Sequence, residues 1–261
     1  MKHASLITSL FIVLLFNCKN STEKVVEMAS ESANELYETT KPEEIKIIPI
    51  EHATMILAHK DQVVYVDPVG GLEAFSGQEK PDYILITDIH GDHLDLSTLE
   101  RMVLDSTTLI VPKAVKEKLP ELKAKEIIVM NNGDIKDFGI FSIEAIPMYN
   151  LRPEALKYHE KGRGNGYVLT WNDQRIYISG DTEDIPEMRN LKNIDIAFVC
   201  MNLPYTMTVE SAASAVLEFQ PKKVYPYHYR GTDGMSDIAK FKSIINKDHP
   251  NIEVMQLNWY K

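Results

Sequence analysis

The sequence predicts an α/β protein, an αββα sandwich in which two mixed β-sheets pack together and helices cover their outer faces. Three observations predict it. Short β-branched runs open the folded part at the spacing of a meander, strands and helices then alternate at the pitch of α/β layering, and the order of strands followed by helices occurs twice. With 261 residues, 44% of them hydrophobic and 25% charged, the chain carries enough apolar material for one self-supporting core.

The N-terminal part stands apart. Met1-Lys2-His3 is a short positive head, Ala4 to Phe16 is largely apolar, and polar sequence follows, which is the layout of a signal peptide over residues 1–17. The apolar stretch is shorter than the about 20 residues that span a bilayer. Leu15-Phe16-Asn17-Cys18 resembles a bacterial lipoprotein cleavage box, in which the cysteine becomes the lipidated N-terminus; Asn17 departs from the small residue usual at that place. Residues 18–41 are rich in Ser, Thr, Glu and Lys and read as a flexible tether, leaving residues 42–261 as the folded domain. The expectation is an exported protein, lipid-anchored through Cys18 on the periplasmic or cell-surface side of a membrane. A formal charge of −10 argues against a nucleic-acid partner, whose phosphates are bound by Lys and Arg.

Along the domain, Ile45–Ile50, Thr54–Ala58 and Gln62–Asp67 are three β-type runs separated by short polar turns. Tyr83–Thr87 is a buried strand. Ser97-Thr98-Leu99-Glu100 reads as a capping box for a helix whose apolar face is Leu99, Met102 and Val103. Thr108–Val111 and Glu126–Val129 are strands on either side of a short helix at Lys113–Lys118. Ile140–Ile146, Gly166–Trp171 and Arg175–Ile178 follow as antiparallel-type strands, and Ile194–Cys200 as a buried one in which Cys200 is a small core residue. Thr208 caps a helix with Val209, Ala212, Ala213, Val216 and Leu217 on one face, and Lys223–Tyr229 is a strand ending at His228.

The chemistry is concentrated in Tyr83-Ile84-Leu85-Ile86-Thr87-Asp88-Ile89-His90-Gly91-Asp92-His93-Leu94-Asp95. Imidazoles and carboxylates crowd one strand end, the donor mixture that a divalent metal takes, and Gly91 is read as the residue that lets the backbone curl so that they converge. The stretch resembles the His-x-His-x-Asp-His signature of the metallo-β-lactamase-fold hydrolases, with Asp88 in place of the first histidine. Glu51-His52-Ala53-Thr54 and Asp67-Pro68-Val69-Gly70-Gly71 resemble two landmarks that precede that signature.

The resemblance implies the metallo-β-lactamase fold and two divalent metal ions, Zn, Mn or Fe. Asp88 and His90 would bind one and Asp92 and His93 the other. Ser179-Gly180-Asp181-Thr182 is similar to the family's Gly-Asp-Thr element, which makes Asp181 the bridging ligand, and His228 matches the final ligand. Where the family has a further histidine, this chain has Asn150, so Asn150 or His159 is the candidate replacement in the first site. Carboxylate in place of imidazole there favours manganese or iron over zinc. The activity implied is metal-assisted hydrolysis of an ester, lactone or phosphodiester in a small or lipid-like substrate. Asp92 would orient the attacking water and pass its proton on, and Tyr149, Arg163, Tyr205 and Tyr229 are candidate substrate contacts. The short loops look most like the ascorbate-phosphate lactonase and lipid-phosphodiesterase branches. The alternative is a metal-dependent binding or sensing lipoprotein of the same fold, motivated by Asp88 and Asn150.

Overall fold

The structure, a computed structural model, describes residues 44–260; the signal peptide, Cys18 and tether read from the sequence lie outside the described residues. The chain order begins β1 (Lys46–Glu51), β2 (Thr54–His59), β3 (Gln62–Val66), a 3₁₀ turn (Leu72–Phe75), β4 (Tyr83–Leu85), α1 (Leu96–Met102), β5 (Thr108–Val111), α2 (Lys113–Lys116) and β6 (Glu126–Val129). It continues with β7 (Ile135–Asp137), β8 (Phe141–Met148), β9 (Gly164–Trp171), β10 (Gln174–Ile178), α3 (Pro186–Arg189), β11 (Ile196–Cys200), α4 (Val209–Phe219) and β12 (Lys223–Tyr227). A small hairpin, β13 (Arg230–Gly231) with β14 (Gly234–Met235), then α5 (Ile238–Asp248) and β15 (Glu253–Val254) complete it.

The first sheet has the order β1-β2-β3-β4-β5-β6, antiparallel through the opening meander and parallel from β3 onward. The second has the order β15-β12-β11-β10-β9-β8-β7, again antiparallel from β7 to β10 and parallel beyond. Both sheets are mixed, as the sequence predicts, and each half of the chain repeats the same succession. Asn172 and Asp173, at φ 50° and 58°, close the β9–β10 hairpin with the left-handed backbone that matches strand twist.

Strand alternation decides which face each apolar residue serves. Met55, Leu57, Val64, Val66 and Leu85 point into the core shared with the second sheet, against Ile143, Tyr167, Leu169, Ile176 and Ile178. Their neighbours Ile56, Val63, Tyr65, Ile84 and Ile86 point the other way, onto Leu99 and Met102 of α1 and Val115 of α2. On the far face of the second sheet lies α4, whose Ala212, Ala213 and Val216 are fully buried. Thr208 caps it by accepting from the Ser211 amide at 3.1 Å.

Two sequence expectations about the first metal stretch are corrected. The N-cap of α1 is Asp95, accepting from the Thr98 amide at 3.1 Å, and not Ser97. Asp95 wins because its two carboxylate oxygens also take the Thr98 and Ser97 hydroxyls, at 2.6 and 2.7 Å. Gly91 does not adopt a left-handed backbone, and a Cβ there would meet nothing within 4 Å. The turn is closed instead by the amides of His93 and Leu94, which donate to the His90 carbonyl at 3.0 and 2.7 Å.

Candidate metal centre

The centre lies just past the carboxyl ends of β4, β10 and β12, where open α/β sheets leave a crevice. β4 delivers Thr87 to His93, β10 delivers Gly180 and Asp181, and β12 delivers His228. Gly180 is required there. At φ +61°, a Cβ would stand 2.5 Å from Met148 Sδ and 3.2 Å from the Asn165 carbonyl.

Two groups of three ligand-bearing residues form, Asp88 with His90 and His159, and Asp92 with His93 and His228; within each group the donor atoms lie within 4.8 Å of one another. Asp181 sits between them. Its Oδ2 is 3.2 Å from His159 Nε2 and 3.5 Å from His93 Nε2, and its Oδ1 is 3.3 Å from His228 Nε2. Asp88 contacts His90 Nδ1 directly and lies 3.8 Å from His159 Nε2. Asp92 Oδ2 is 3.3 Å from His228 Nε2.

The donor set fits divalent cations. His93 Nε2, Asp88 Oδ1 and Asp181 Oδ1 are buried and make no hydrogen bond among the described residues, Asp88 Oδ1 having an ion pair with Arg163 at 3.4 Å and Asp181 Oδ1 one with His228 at 3.3 Å, so lone pairs remain that an ion can take. His93 is pre-set for that role. Asp67 Oδ2 takes its Nδ1–H at 2.8 Å, and Asp67 is itself held by the Thr87 amide at 2.7 Å and hydroxyl at 2.6 Å, so Nε2 faces the centre and is the nitrogen that an ion would take once it gives up its proton. His52, Asp67 and His228 all have left-handed backbone, φ 51°, 44° and 44°, a strained conformation for residues with side chains.

Charge follows from this crowding. Burial works against charge on His93 and His228, yet Asp181 with Asp67 and Asp92 outweighs it and lifts both imidazoles, His228 to about 9. Burial likewise opposes ionisation of Asp181 and Asp92, but the adjacent His228 and His93 hold both carboxyls below the ordinary carboxylate range.

Around the centre, the sequence-derived residues separate. His159 is buried on the loop 151–163 and is brought to Asp88 and Asp181. Asn150 instead uses its amide to hold that loop, donating to the Ala155 carbonyl at 2.9 Å and the Tyr205 carbonyl at 2.7 Å. Tyr205 lines a cavity of about 290 Å³ over the centre together with His90, Asp92, Tyr158, His159, Asp181 and Asn202. Tyr149, Arg163 and Tyr229 are not among the lining residues. The Tyr149 hydroxyl donates to Glu187 at 2.9 Å, and the buried Tyr229 ring meets the Tyr260 ring edge-on at 4.9 Å. Arg163 turns inward, 3.4 Å from Asp88 Oδ1 and bonded to the Tyr158 carbonyl.

Tyr158 and Asn202 had no role in the sequence reading, because they reach the cavity from loops that carry no periodic signal. Asp67 stood in a landmark before the metal signature without a role of its own. His52, in the other landmark and expected near the site, touches it from behind, its Nδ1 3.3 Å from His228 Nδ1.

Two sheets of this topology with paired Asp and His groups at their carboxyl ends define a metal-dependent hydrolase of the metallo-β-lactamase fold. Residues 62–229 match the family described as beta-lactamase superfamily domain. The chain is 29% identical over 214 residues to the UPF0173 metal-dependent hydrolase PH1671 of Pyrococcus horikoshii, covering 77% of this chain and 92% of that one. To the UPF0173 metal-dependent hydrolase of Enterococcus faecalis it is 30% identical over 155 residues, 57% of this chain and 68% of that one. A structure from Parabacteroides distasonis, described as a metal-dependent hydrolase, superposes with TM-score 0.73 at 39% identity, covering 83% of this chain and 94% of that one. Igni18, a metallo hydrolase from Ignicoccus hospitalis, shares the fold at TM-score 0.67 and 19% identity, covering 83% and 96%. The chain belongs to the beta-lactamase superfamily, among the UPF0173 metal-dependent hydrolases.

Proposed function

We propose that the chain hydrolyses an ester, lactone or phosphodiester in a small or lipid-like compound with two divalent ions, zinc, manganese or iron. The observation that supports this most is the reach of Asp181, whose two oxygens lie 3.2 Å from His159 Nε2 and 3.3 Å from His228 Nε2, members of different ligand groups. Asp88, His90 and His159 would hold one ion, Asp92, His93 and His228 the other, with Asp181 shared. When bound, such ions supply Lewis-acid polarisation and lower the pKa of water.

The remaining steps belong to the chain. Asp92 is the most open of the three carboxylates, its side chain 43% exposed against 0% for Asp88 and 4% for Asp181. It lines the cavity within reach of a bound water, and its part is to accept the proton of the attacking water and deliver it to the leaving group. Asp67 and Thr87 keep His93 in one tautomer and one orientation. Arg163 offsets part of the charge of the buried Asp88. Glu183 accepts from the Leu151 and Arg152 amides at 2.8 and 2.9 Å, while Arg152 donates to the Thr206 carbonyl at 2.6 Å, which ties the His159 loop to the Asn202–Thr206 loop.

The lactonase and phosphodiesterase branches are the ones this reading draws on. Export and a lipid on Cys18 would place the domain at a membrane, close to lipid-like substrates. The test is direct. Protein loaded with each metal is assayed on a panel of phenyl esters, lactones and bis(4-nitrophenyl) phosphate; turnover that chelation abolishes and that Asp181→Ala loses together with its metal supports the reading. A chain that holds its ions and turns over no member of the panel overturns it in favour of a binding protein.

A further inference from the structure

The cavity over the centre has two unlike walls. His90, Asp92, His159 and Asp181 form its ionisable side, Tyr158 and the exposed Tyr205 form the outer wall, the buried Asn202 completes the lining, and no Lys or Arg among the described residues lines it. The cations nearby are engaged elsewhere. Arg163 is bonded to the Tyr158 carbonyl and Asp88, Lys161 to Glu187 at 2.8 Å, and Lys157 lies over the Tyr158 ring at 5.0 Å from its centroid.

Asn202 is buried, and hydrogen bonds set its orientation. The Thr206 hydroxyl accepts from the Asn202 backbone amide at 2.9 Å and donates its own hydrogen to Asn202 Oδ1. The amide nitrogen points the other way and lies 3.4 Å from His228 Nε2. That nitrogen is the one His228 turns toward Asp92 and Asp181, its Nδ1 facing His52. Once Nε2 serves the centre, both N–H groups of Asn202 are left without an acceptor among the described residues, next to a cavity that receives substrate. A buried donor pair in that position is built for an oxygen that gains negative charge.

The outer wall is also rigid before anything binds. Asn150 and His159 Nδ1 both reach the Tyr205 carbonyl, at 2.7 and 3.1 Å, and Thr232 donates to the Tyr205 hydroxyl at 3.0 Å. The Tyr158 and Tyr205 rings meet edge to face at 5.0 Å. Leu156 and Leu203, exposed on the same two loops, extend the apolar surface outward. A flat apolar group matches the ring faces of Tyr158 and Tyr205, and a carbonyl oxygen matches the Asn202 amide, whereas the charge of a phosphodiester would be met by the bound ions and by nothing in this wall.

We infer that the substrate is an uncharged carboxylic ester or lactone bearing a flat apolar group, which lies against Tyr158 and Tyr205 while Asn202 donates to its carbonyl oxygen. Water adds to the carbonyl carbon and the carbonyl π pair moves onto oxygen, where Asn202 meets it. When that pair returns, the bond from the acyl carbon to the leaving oxygen breaks. The proton taken from water travels through Asp92 to the departing alkoxide or phenoxide, so acid and alcohol leave as products. This inference rests on the hydrolase reading and narrows it.

The experiment uses the full chain loaded in turn with zinc, manganese and iron, with phenyl acetate, dihydrocoumarin, monomethyl succinate and bis(4-nitrophenyl) phosphate. The aromatic ester and lactone should exceed the other two in kcat/KM by about a hundredfold or more. Asn202→Asp keeps the Thr206 contact and removes the donors; at unchanged metal content, kcat on phenyl acetate should fall on the order of 10²–10³-fold. Tyr205→Leu should raise KM about tenfold with kcat nearly kept, the size expected of one lost ring contact. As a readout without turnover, the affinity for 1,1,1-trifluoro-3-phenylpropan-2-one, which hydrates to a tetrahedral diol, should fall about tenfold or more in Asn202→Asp. A preference for the phosphodiester or the succinate ester, or unchanged kcat and ketone affinity in metal-replete Asn202→Asp, overturns the inference while leaving the hydrolase reading intact. No turnover of any substrate by the wild type overturns both.

Discussion

Replacing Asp67 by Asn separates the shape of the His93 support from its charge. Asp67 is fully buried and accepts three hydrogen bonds, from the Thr87 amide at 2.7 Å, the Thr87 hydroxyl at 2.6 Å and His93 Nδ1 at 2.8 Å. Asparagine is isosteric and tolerates the left-handed backbone at φ 44°, so the turn itself is preserved. Its amide nitrogen must take the place of one oxygen. Placed at Oδ1, it confronts the Thr87 N–H, donor against donor. Placed at Oδ2, it forces His93 to accept at Nδ1 and carry its hydrogen at Nε2, aimed at the space an ion would occupy. Either outcome weakens metal binding about 10- to 100-fold, equivalent to about 1.4–2.7 kcal/mol, and leaves a buried donor unsatisfied at a stability cost of about 1–3 kcal/mol. Competition against a chelating dye, with circular dichroism to confirm folding, measures the first effect. A folded Asp67→Asn chain with affinity within about threefold of wild type would refute the tautomer argument.

Other expectations follow from the same geometry. Because Asp181 and its neighbours lift His93 and hold His228 at about 9, both imidazoles are protonated at pH 7 without metal and an incoming ion must displace their protons. Affinity should therefore rise with pH toward about 9, and calorimetry in buffers of different ionisation enthalpy should register proton release at pH 7; zero release contradicts it. Asp95→Ala removes the α1 cap and should lower stability by about 1 kcal/mol, read as a fall in Tm. Although burial pulls the other way, hydrogen bonds from Thr98 and Ser97 hold the Asp95 carboxyl at about 2 in the folded state. Its contribution is thus complete above the unfolded value of about 4 and fades as pH falls from about 4 through 2, so wild type and variant should converge in acid. Gly180→Ala, with φ +61° and a Cβ 2.5 Å from Met148 Sδ, should cost about 1–3 kcal/mol in urea denaturation, and metal content should drop with it. Cys18→Ser should move the protein from the membrane pellet to the soluble fraction if Cys18 carries the anchor.

Much of the fold was legible because strands buried on both faces write themselves as dense apolar runs, such as Met55-Ile56-Leu57 and Val63-Val64-Tyr65-Val66. Elements that bury little were not. In β7, all three residues are exposed, so it carries no apolar alternation; α5 does carry a stripe, Ile238, Phe241, Ile244 and Ile245, but it follows the last strand-end ligand, and the sequence reading stops short of it. At the site, Asp88 to His93, Asp181 and His228 could be found because each follows a strand directly. The His159 loop could not be placed that way. It is held by contacts across long sequence gaps, Asn150 to Tyr205 and Arg152 to Glu183, and hydrogen bonds of that kind leave no spacing rule to read. Asn202 was hidden for the same reason, since its role depends on which end of its amide Thr206 holds.

Anomalous diffraction from manganese-loaded crystals of the folded domain is the most direct test of the centre. The account predicts two peaks about 3.5–4 Å apart with the Asp181 carboxylate between them, one beside Asp88, His90 and His159 and the other beside Asp92, His93 and His228. A single peak, or two that leave Asp181 outside both, would contradict it.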